Sequence, residues 1–425
     1  MKTLIRNVNV FDGKHAALTE HANIAVTENI VTEIFTGDTS EEAFEQIIDG
    51  KGMYAIPGLT DAHVHLGRIM TPDSSLDYGI AVSVKMCEKL LLHGVTTVRD
   101  AGGITQGLKK AIDEGTLPGP RIYPSNAYIS QTCGHGDSDK AHANRDIQYR
   151  ITTHVALADG PAEVTRAVRE QLYRGASQIK LMAGGGMSSV CDPVETLQFT
   201  EEEMKAAVQA AKDYGTYVMA HLYTPGCIQR AVRAGVMSLE HAHVIDEETA
   251  KMIADAGAFV MSGPQFTERE IQWNHMGKYS DYPALRYKKS KRGNHDIMGQ
   301  IDSTTERIGK YNLNLIFGTD MMVMYPGYEP RANLDLTEFK KRFGSFRGLA
   351  AATGNIYDLI KLTTYQNPYP EGKIGVLTKG SYADILIVQG NPVEDLDILG
   401  NVDNIHLIMK DGKIYKNTIA VQQPN

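Results

Sequence analysis

Residues 58–66 read GLTDAHVHL and set two histidines, His63 and His65, two positions apart in an apolar run. Val64 and Leu66 mark the run as a buried strand, in which alternate side chains point to the same face. Both imidazoles can therefore reach one metal ion. Two core histidines hydrogen-bonded to the backbone would give the same pattern, so the metal interpretation depends on partners elsewhere in the chain.

Downstream of this run, apolar strand-like runs alternate with helical patterns, which is typical of a parallel α/β arrangement. The predicted strands are 59–65, 96–100, 122–129, 178–182, 217–221, 237–241, 259–262 and 315–320. The predicted helices are 77–93, 161–174, 200–214, 225–234 and 246–256. Thr200 and Glu203 have the spacing of a capping box at the start of the third helix. Eight parallel strands predict a barrel, whose reactive side chains lie at the carboxyl ends of the strands.

Both ends of the chain have a different character. Residues 3–55 contain short β-branched runs separated by turn residues. Similar runs return at 383–388 and 406–410, and Asp411-Gly412 is a hairpin signal. The two ends are therefore predicted to form one small β domain together.

Lys180 lies in the apolar run 179–183, at the end of the fourth predicted strand, and is followed by three glycines. A charged lysine in such a place is costly, so it must be paired, neutral or chemically altered. A neutral lysine can add carbon dioxide and become a carbamate, whose two oxygens can bridge two cations. A lysine paired with a carboxylate in the barrel is the alternative.

Three further ligand-type residues end the predicted strands, namely His221, His241 and Asp320. Taken singly, each histidine could be structural and the aspartate could cap a helix. Together with the first pair and Lys180 they occupy five strand ends, which indicates a metal centre. His243 competes with His241 because Glu240-His241-Ala242-His243 is a second His-x-His pattern; the position directly after the glutamate is preferred.

The composition is that of an ordinary globular protein with room for one large and one smaller domain: 425 residues, 42% hydrophobic and 22% charged. A net charge of −8 argues against a nucleic-acid partner, and the basic run 288–292 is read as a solvated face.

No secretory leader or long apolar span is evident, so we expect a cytoplasmic protein with no membrane partner. The four cysteines show no Cys-x-x-Cys spacing and are predicted to be free thiols: Cys87, Cys133, Cys191 and Cys227.

Taken together, these motifs resemble the amidohydrolase superfamily, in its binuclear type with a carbamylated lysine. The resemblance spans nearly the whole chain. It rests on PG at 57–58 with the histidine pair, VRDAGG at 98–103, IK at 179–180, AH at 220–221, EH at 240–241, GTD at 318–320 and KGSYADI at 379–385. It implies a distorted (β/α)8 TIM barrel with a small β-sandwich built from both termini. The implied domains are 1–57 and 365–425 for the sandwich and 58–364 for the metal-dependent hydrolase barrel.

The resemblance also implies a ligand set for two divalent metal ions, of which zinc suits the imidazole and carboxylate donors; other divalent ions are used in the superfamily. His63, His65 and Asp320 would hold one ion, and His221 and His241 the other. N6-carboxylated Lys180 and a hydroxide would bridge them. Asp320 would act as the general base and pass the proton to the leaving amine.

The loop at 130–137 reads SQTCGHGD and is similar to a subgroup of the superfamily. That subgroup includes Xaa-Pro and Xaa-Arg dipeptidases, ochratoxin-type amidases and carbamate or phenylurea hydrolases. It implies that His135 is a catalytic and substrate-binding residue facing the substrate carbonyl, and that Tyr223 contacts the substrate. A loop hydrogen bond for His135 and a helix cap for Tyr223 are the alternatives.

The expected reaction is hydrolysis of an amide-type C–N bond in a small-molecule substrate, a dipeptide or an N-acyl amino acid. Carbamate or urea hydrolysis is the alternative within the subgroup. A cyclic-amide hydrolase or a mononuclear deaminase fits less well, since single-metal types lack the bridging lysine. A non-catalytic scaffold fits poorly because all six ligand positions are filled. We also expect a homo-oligomer, as is frequent in the superfamily.

The wall of the leaving-group pocket is expected in residues 263–294, which match no single subgroup. Arg269, Arg286 or Arg292 could hold a substrate carboxylate there, although a surface role is the simpler reading of each.

Overall fold

The computed structural model describes residues 1–69, 76–103, 105–137, 154–186, 192–262, 298–323, 330, 332–419 and 421–422. The expected pocket wall at 263–294, with its three arginines, lies outside these residues, as does Cys191. Cys87, Cys133 and Cys227 are free thiols, as predicted. In the described part of the chain, every helix is too short or too polar to cross a membrane.

Strands from both ends of the chain form one nine-stranded sheet. Its N-terminal strands are β1 (Lys2–Val10), β2 (Thr19–Thr27), β3 (Ile30–Thr36), β4 (Gln46–Asp49) and β5 (Tyr54–Pro57). Its C-terminal strands are β17 (Ile385–Val388), β18 (Ile405–Lys410), β19 (Lys413–Asn417) and β20 (Val421–Gln422). The order is β19-β18-β17-β5-β1-β2-β3, with β4 beside β1 and β20 beside β4. The predicted partnership of the two ends is thus observed, and β5 pairs with β17 directly.

The middle of the chain forms two sheets whose strands pair only in parallel. A four-stranded sheet has the order β16-β6-β7-β8 and a seven-stranded sheet the order β10-β9-β11-β12-β13-β14-β15. Their bounds are β6 Leu59–Ile69, β7 Val95–Asp100, β8 Arg121–Pro124, β9 Tyr128–Ser130, β10 Val155–Leu157, β11 Ile179–Met182, β12 Val218–Leu222, β13 Ser238–His241, β14 Phe259–Met261, β15 Asn314–Ile316 and β16 Met321–Val323. Backbone hydrogen bonds also cross between the sheets: Ala62 N–H donates to Phe317 at 2.9 Å, and Ser177 N–H to Pro124 at 2.7 Å.

Three predicted strands differ in extent from the observed ones by more than two residues. The strand predicted at 59–65 continues to Ile69, so His63 and His65 lie within β6 and not at its end. The strand predicted at 122–129 is divided into β8 and β9, because Asn126 between them has a left-handed backbone with φ 58°. The strand predicted at 315–320 ends at Ile316, and Asp320 lies on the turn before β16 with φ 53°. Left-handed backbone is sparsely populated by non-glycine residues, and both residues lie where the chain has left the extended conformation of a strand.

Helices follow most of the parallel strands. They are α1 Leu76–Leu92, α2 Gln106–Asp113, α3 Gly160–Tyr173, α4 Glu201–Asp213, α5 Pro225–Ala234, α6 Glu247–Ala256, α7 Ile301–Lys310, α8 Ala332–Phe343, α9 Ser345–Ala351 and α10 Gly354–Ile360. Short 3-10 turns lie at Glu41–Ala43, Met298–Gln300, Leu396–Gly400 and Val402–Asn404. The predicted capping box is confirmed: Thr200 Oγ1 accepts from Glu203 N–H at 3.2 Å, and the Glu203 carboxylate accepts from Thr200 N–H at 2.6 Å.

Arg121, at the start of β8, ties the terminal sheet to the parallel strands. Its side chain is 1% exposed and forms ion pairs with Asp384 and Asp411. The guanidinium lies 4.0 Å from the centre of the Tyr382 ring, a cation–π contact. Because both aspartates belong to the C-terminal part of the chain, this arginine fixes that part against the middle of the molecule.

Candidate metal centre

The predicted ligands come together from four of the parallel strands and from the turn before β16. One ligand atom from each of His63, His241 and Asp320 lies within 4.8 Å of the others, so these three can share an ion. His65 joins them, with its Nε2 3.2 Å from Asp320 Oδ1. Lys180 Nζ lies 3.3 Å from His63 Nε2. Four elements, β6, β11, β13 and the turn before β16, therefore bring five of the six predicted residues together.

His221, the sixth, completes the cluster from β12. Its ring centre is 4.6 Å from that of His241. Its Nε2 is buried and has no hydrogen-bond partner among the described residues. An unsatisfied buried nitrogen is costly in a folded protein, and a metal ion would satisfy it. The donor set and this atom thus fit a divalent metal, as the sequence predicts.

Burial favours the uncharged form of four nitrogen side chains in the cluster. It lowers the pKa of His63 to about 4 and that of Lys180 to about 8. For His221 and His241, burial and the neighbouring nitrogen side chains hold the pKa well below the ordinary value. Neutral imidazoles with free lone pairs are the ligating form.

Asp320 stays ionised in the same place. Burial acts to raise its pKa, but the hydrogen bond to His65 and the nearby His63 and Lys180 outweigh that effect and lower the pKa. The side chain is 20% exposed, so it lies at the edge of the cluster. An ionised carboxylate there can bind a cation and accept a proton.

A buried carboxylate, Glu240, orients the first histidine. Its Oε2 lies 2.7 Å from His63 Nδ1, which directs His63 Nε2 towards the cluster. Its Oε1 accepts from Arg99 Nη2 at 2.8 Å and from Ser238 Oγ at 2.6 Å. The sequence motifs contained Glu240 and Arg99, but their contact joins residues 141 positions apart and could not be derived from spacing.

The turn that carries Asp320 is held by Asp61, another residue without a predicted role. Asp61 is fully buried and accepts from Thr319 N–H at 3.0 Å and Thr319 Oγ1 at 2.6 Å. Gly318 allows the close approach, since a Cβ there would lie 2.8 Å from the Cβ of His63. Left-handed backbone at Asp320 and at His241 (φ 71°) is strain that the surrounding contacts maintain.

His135 lies directly on the cluster. Its ring stacks on that of His221 with centres 4.2 Å apart and planes 8° apart. Its Nδ1 is 3.1 Å from Asp192 Oδ2, and its backbone N–H donates to Gln198 Oε1 at 2.8 Å. Asp192 and Gln198 had no predicted role, because no motif marks them.

Tyr223 also packs against the cluster. Its ring lies parallel to His241 with centres 5.2 Å apart, and edge-on to His221 at 5.0 Å. His243, the competitor of His241, contacts Tyr223 instead, with ring centres 4.8 Å apart. Among the described residues it is His241, and not His243, that groups with His63 and Asp320.

Comparison with known proteins places this arrangement in a family. The amidohydrolase family model matches residues 54–415. Ochratoxinase of Aspergillus niger is 29% identical over 382 residues, which cover 85% of this chain and 75% of that protein. The crystal structure of an amidohydrolase superposes with a TM-score of 0.87 at 32% identity, covering 99% of this chain and 100% of the other. A prolidase complexed with N-methylphosphonate-L-proline gives a TM-score of 0.86 at 28% identity, covering 98% and 100%.

These similarities confirm the resemblance to the amidohydrolase superfamily and its ochratoxinase-like subgroup. The family match extends over all the described parallel strands and part of the terminal sheet, and it includes every residue of the cluster. The chain belongs to the amidohydrolase family.

Proposed function

We propose that this protein hydrolyses an amide-type C–N bond in a dipeptide of the Xaa-Pro kind or in an N-acyl amino acid. The observation that carries the proposal is the convergence of His63, His241 and Asp320 within 4.8 Å, with Lys180 beside them. The names of the relatives, an ochratoxinase and a prolidase, support an amide substrate. All six predicted ligands are retained, which argues against a non-catalytic scaffold.

The proposed cofactors are two divalent metal ions, with zinc preferred for imidazole and carboxylate ligands. His63, His65 and Asp320 would hold one and His221 and His241 the other. When bound, two such ions lower the pKa of a water molecule between them and polarise the scissile carbonyl. The buried, unsatisfied Nε2 of His221 is the feature of this chain that supports a second ion.

Lys180 is proposed to be N6-carboxylated. It is 1% exposed, and its Nζ faces His63 Nε2, so a positive charge there would lie against nitrogen atoms that must also bind cations. The neutral amine adds carbon dioxide, forming an N–C bond and releasing one proton. The resulting carbamate would be anionic and would supply oxygen donors for the ions beside the imidazoles of the cluster.

The remaining roles follow from position. Asp320, ionised and partly exposed, accepts the proton of the attacking water and passes it to the leaving amine. His135, whose ring stacks on His221, is assigned the carbonyl side of the substrate, and Tyr223, whose ring lies parallel to His241, is assigned a substrate contact.

Metal analysis tests the centre. Protein produced with zinc should hold close to two equivalents by mass spectrometry of the metals, and intact-mass measurement under mild conditions should show the carbon dioxide adduct. Lys180→Ala should lose most activity and most of the metal. Less than one equivalent in the parent protein, or full activity in Lys180→Ala, would contradict the proposal.

A substrate panel tests the bond. Xaa-Pro and Xaa-Arg dipeptides and hydrophobic N-acyl amino acids should be turned over, with carbamates and phenylureas as the comparison set. Turnover of the comparison set alone would favour the alternative, a carbamate or urea hydrolase. No turnover of any amino-acid amide would overturn the substrate assignment.

The finer architecture is also a proposal. The hydrogen bonds between the two parallel sheets, from Ala62 and from Ser177, support closure into a distorted (β/α)8 barrel. Boundaries at 57/58 and 364/365 would separate it from the terminal β-sandwich. A homo-oligomer in the cytoplasm completes the proposal, and light scattering of the purified protein measures the oligomeric state.

A further inference from the structure

The ring of His135 is confined by contacts that its loop alone does not explain. Besides the stack on His221, its Nδ1 faces Asp192 Oδ2 at 3.1 Å. On another side it lies against the backbone of Gly186. A Cβ at Gly186 would lie 1.8 Å from His135 Cε1, so only glycine permits this ring position.

Asp192 is a buried carboxylate that binds several groups around His135. Its side chain is 1% exposed, although burying a carboxylate is costly unless it is well paired. Its Oδ2 accepts from Gly186 N–H at 2.8 Å and from Gln198 Nε2 at 3.1 Å. Gln198 in turn accepts from the backbone N–H of His135. Asp192 Oδ2 therefore contacts the ring of His135 and also binds Gly186 and Gln198, the two residues that contact His135 elsewhere.

We propose that Asp192 is a positioning residue that acts through His135, holding its imidazole by Nδ1 so that any contact with a substrate is made through Nε2. The proposal rests on the proposed function, in which His135 faces the substrate carbonyl. The proposal holds for a neutral and for a protonated imidazole, because Nδ1 donates its proton to Asp192 in both forms.

The kinetic test is a double-mutant cycle on the metal-loaded protein. Asp192→Ala should lower kcat/KM about 10- to 150-fold, the range for a lost hydrogen bond to a charged group. Asp192→Asn keeps an acceptor oxygen and should recover part of that loss. In a His135→Ala background, Asp192→Ala should have an effect of about twofold or less. Equal effects in both backgrounds would show that Asp192 does not act through His135.

Gly186→Ala is the second variant and keeps the test valid if Asp192→Ala fails to fold. It leaves the Asp192 carboxylate in place but displaces the His135 ring, so it should lower kcat/KM by a comparable factor. This loss should also disappear in the His135→Ala background. Asp159→Asn is the matched control. Its carboxylate holds Thr132, at the other end of the same loop, with Oδ1 accepting from Thr132 N–H at 3.1 Å. It should change kcat/KM about twofold or less, and metal content should be equal in all variants.

A spectroscopic arm separates failure of this inference from failure of the proposed function. In protein with ¹⁵N-labelled histidine, the signals of His135 are those lost in His135→Asn. They should show a proton on Nδ1 in the parent protein and should shift in Asp192→Ala but not in Asp159→Asn. Unchanged His135 signals in Asp192→Ala would overturn the inference, whereas absence of turnover with these shifts present would overturn only the proposed function.

Discussion

Replacing Glu240 by glutamine should weaken metal binding without changing the shape of the buried side chain. In the parent protein one carboxylate oxygen meets His63 Nδ1 at 2.7 Å and the other meets Arg99 Nη2 at 2.8 Å. An amide has one acceptor oxygen, so it can serve only one of these donors. With its oxygen on Arg99, its NH₂ group faces His63 Nδ1 and forces the histidine proton onto Nε2, the atom that should bind the metal.

The size of the effect follows from the bond that is lost. A hydrogen bond to a charged group contributes about 1.5–3 kcal/mol, which corresponds to about a 10- to 150-fold change in a dissociation constant. Residues that orient metal ligands typically affect metal affinity by about 10- to 100-fold. We therefore expect the zinc dissociation constant of Glu240→Gln to rise by one to two orders of magnitude, measured by competition with a chromophoric chelator.

Ser238→Ala is the control for this experiment. It removes a hydrogen bond to the same carboxylate, from Ser238 Oγ at 2.6 Å, but leaves the contact between Glu240 and His63 untouched. Its effect on zinc affinity should be several times smaller. A folded Glu240→Gln protein whose zinc affinity lies within about twofold of the parent would refute the role of Glu240 in orienting His63.

Three other outcomes are expected. Arg121→Met leaves the buried Asp384 without its ion-pair partner and should lower the free energy of unfolding, measured in urea, by about 3–5 kcal/mol. Lys85→Met, which breaks an exposed ion pair with Glu88, should lower it by about 1 kcal/mol or less. Similar losses in the two variants would contradict the role of Arg121 in joining the terminal sheet to the parallel strands. Thr200→Ala removes a helix cap and should cost about 1 kcal/mol in the same assay, and no loss would mean that the capping box does not stabilise α4. Removing metal with a chelator should lower the melting temperature, and restored zinc should return it, because an ion that binds only the folded state stabilises it; an unchanged melting temperature would argue against bound metal.

The sequence was sufficient for the strand ends and insufficient for the contacts between them. His63, His65, Lys180, His221 and His241 were found because strand periodicity and family motifs mark single positions. The contacts that these five side chains make are not marked by periodicity or by motifs.

Asp61 and Glu240 act through tertiary hydrogen bonds, as Asp192 is proposed to do. A carboxylate in an apolar run, such as that of Asp61 or Glu240, has the same appearance whether it holds a metal, a histidine or a turn. The extent of the last predicted strand was wrong for a related reason. The turn that carries Asp320 is held by hydrogen bonds from Thr319 to Asp61 and by the close approach of Gly318 to His63, and each contact joins the turn to a distant part of the chain.

The pairing of β5 with β17 has a consequence for how the molecule is made. The two strands are more than 300 residues apart in sequence yet lie side by side, with Ile56 opposite Leu386. Sequence-distant pairings close late, since the entropy of a long loop must be overcome before any contact forms. During synthesis the edge of β5 that pairs with β17 therefore stays unpaired until the chain has been extended by more than 300 residues. Completion of the terminal sheet is expected to be the slow step of folding, and the stage at which newly made chains are most prone to aggregate.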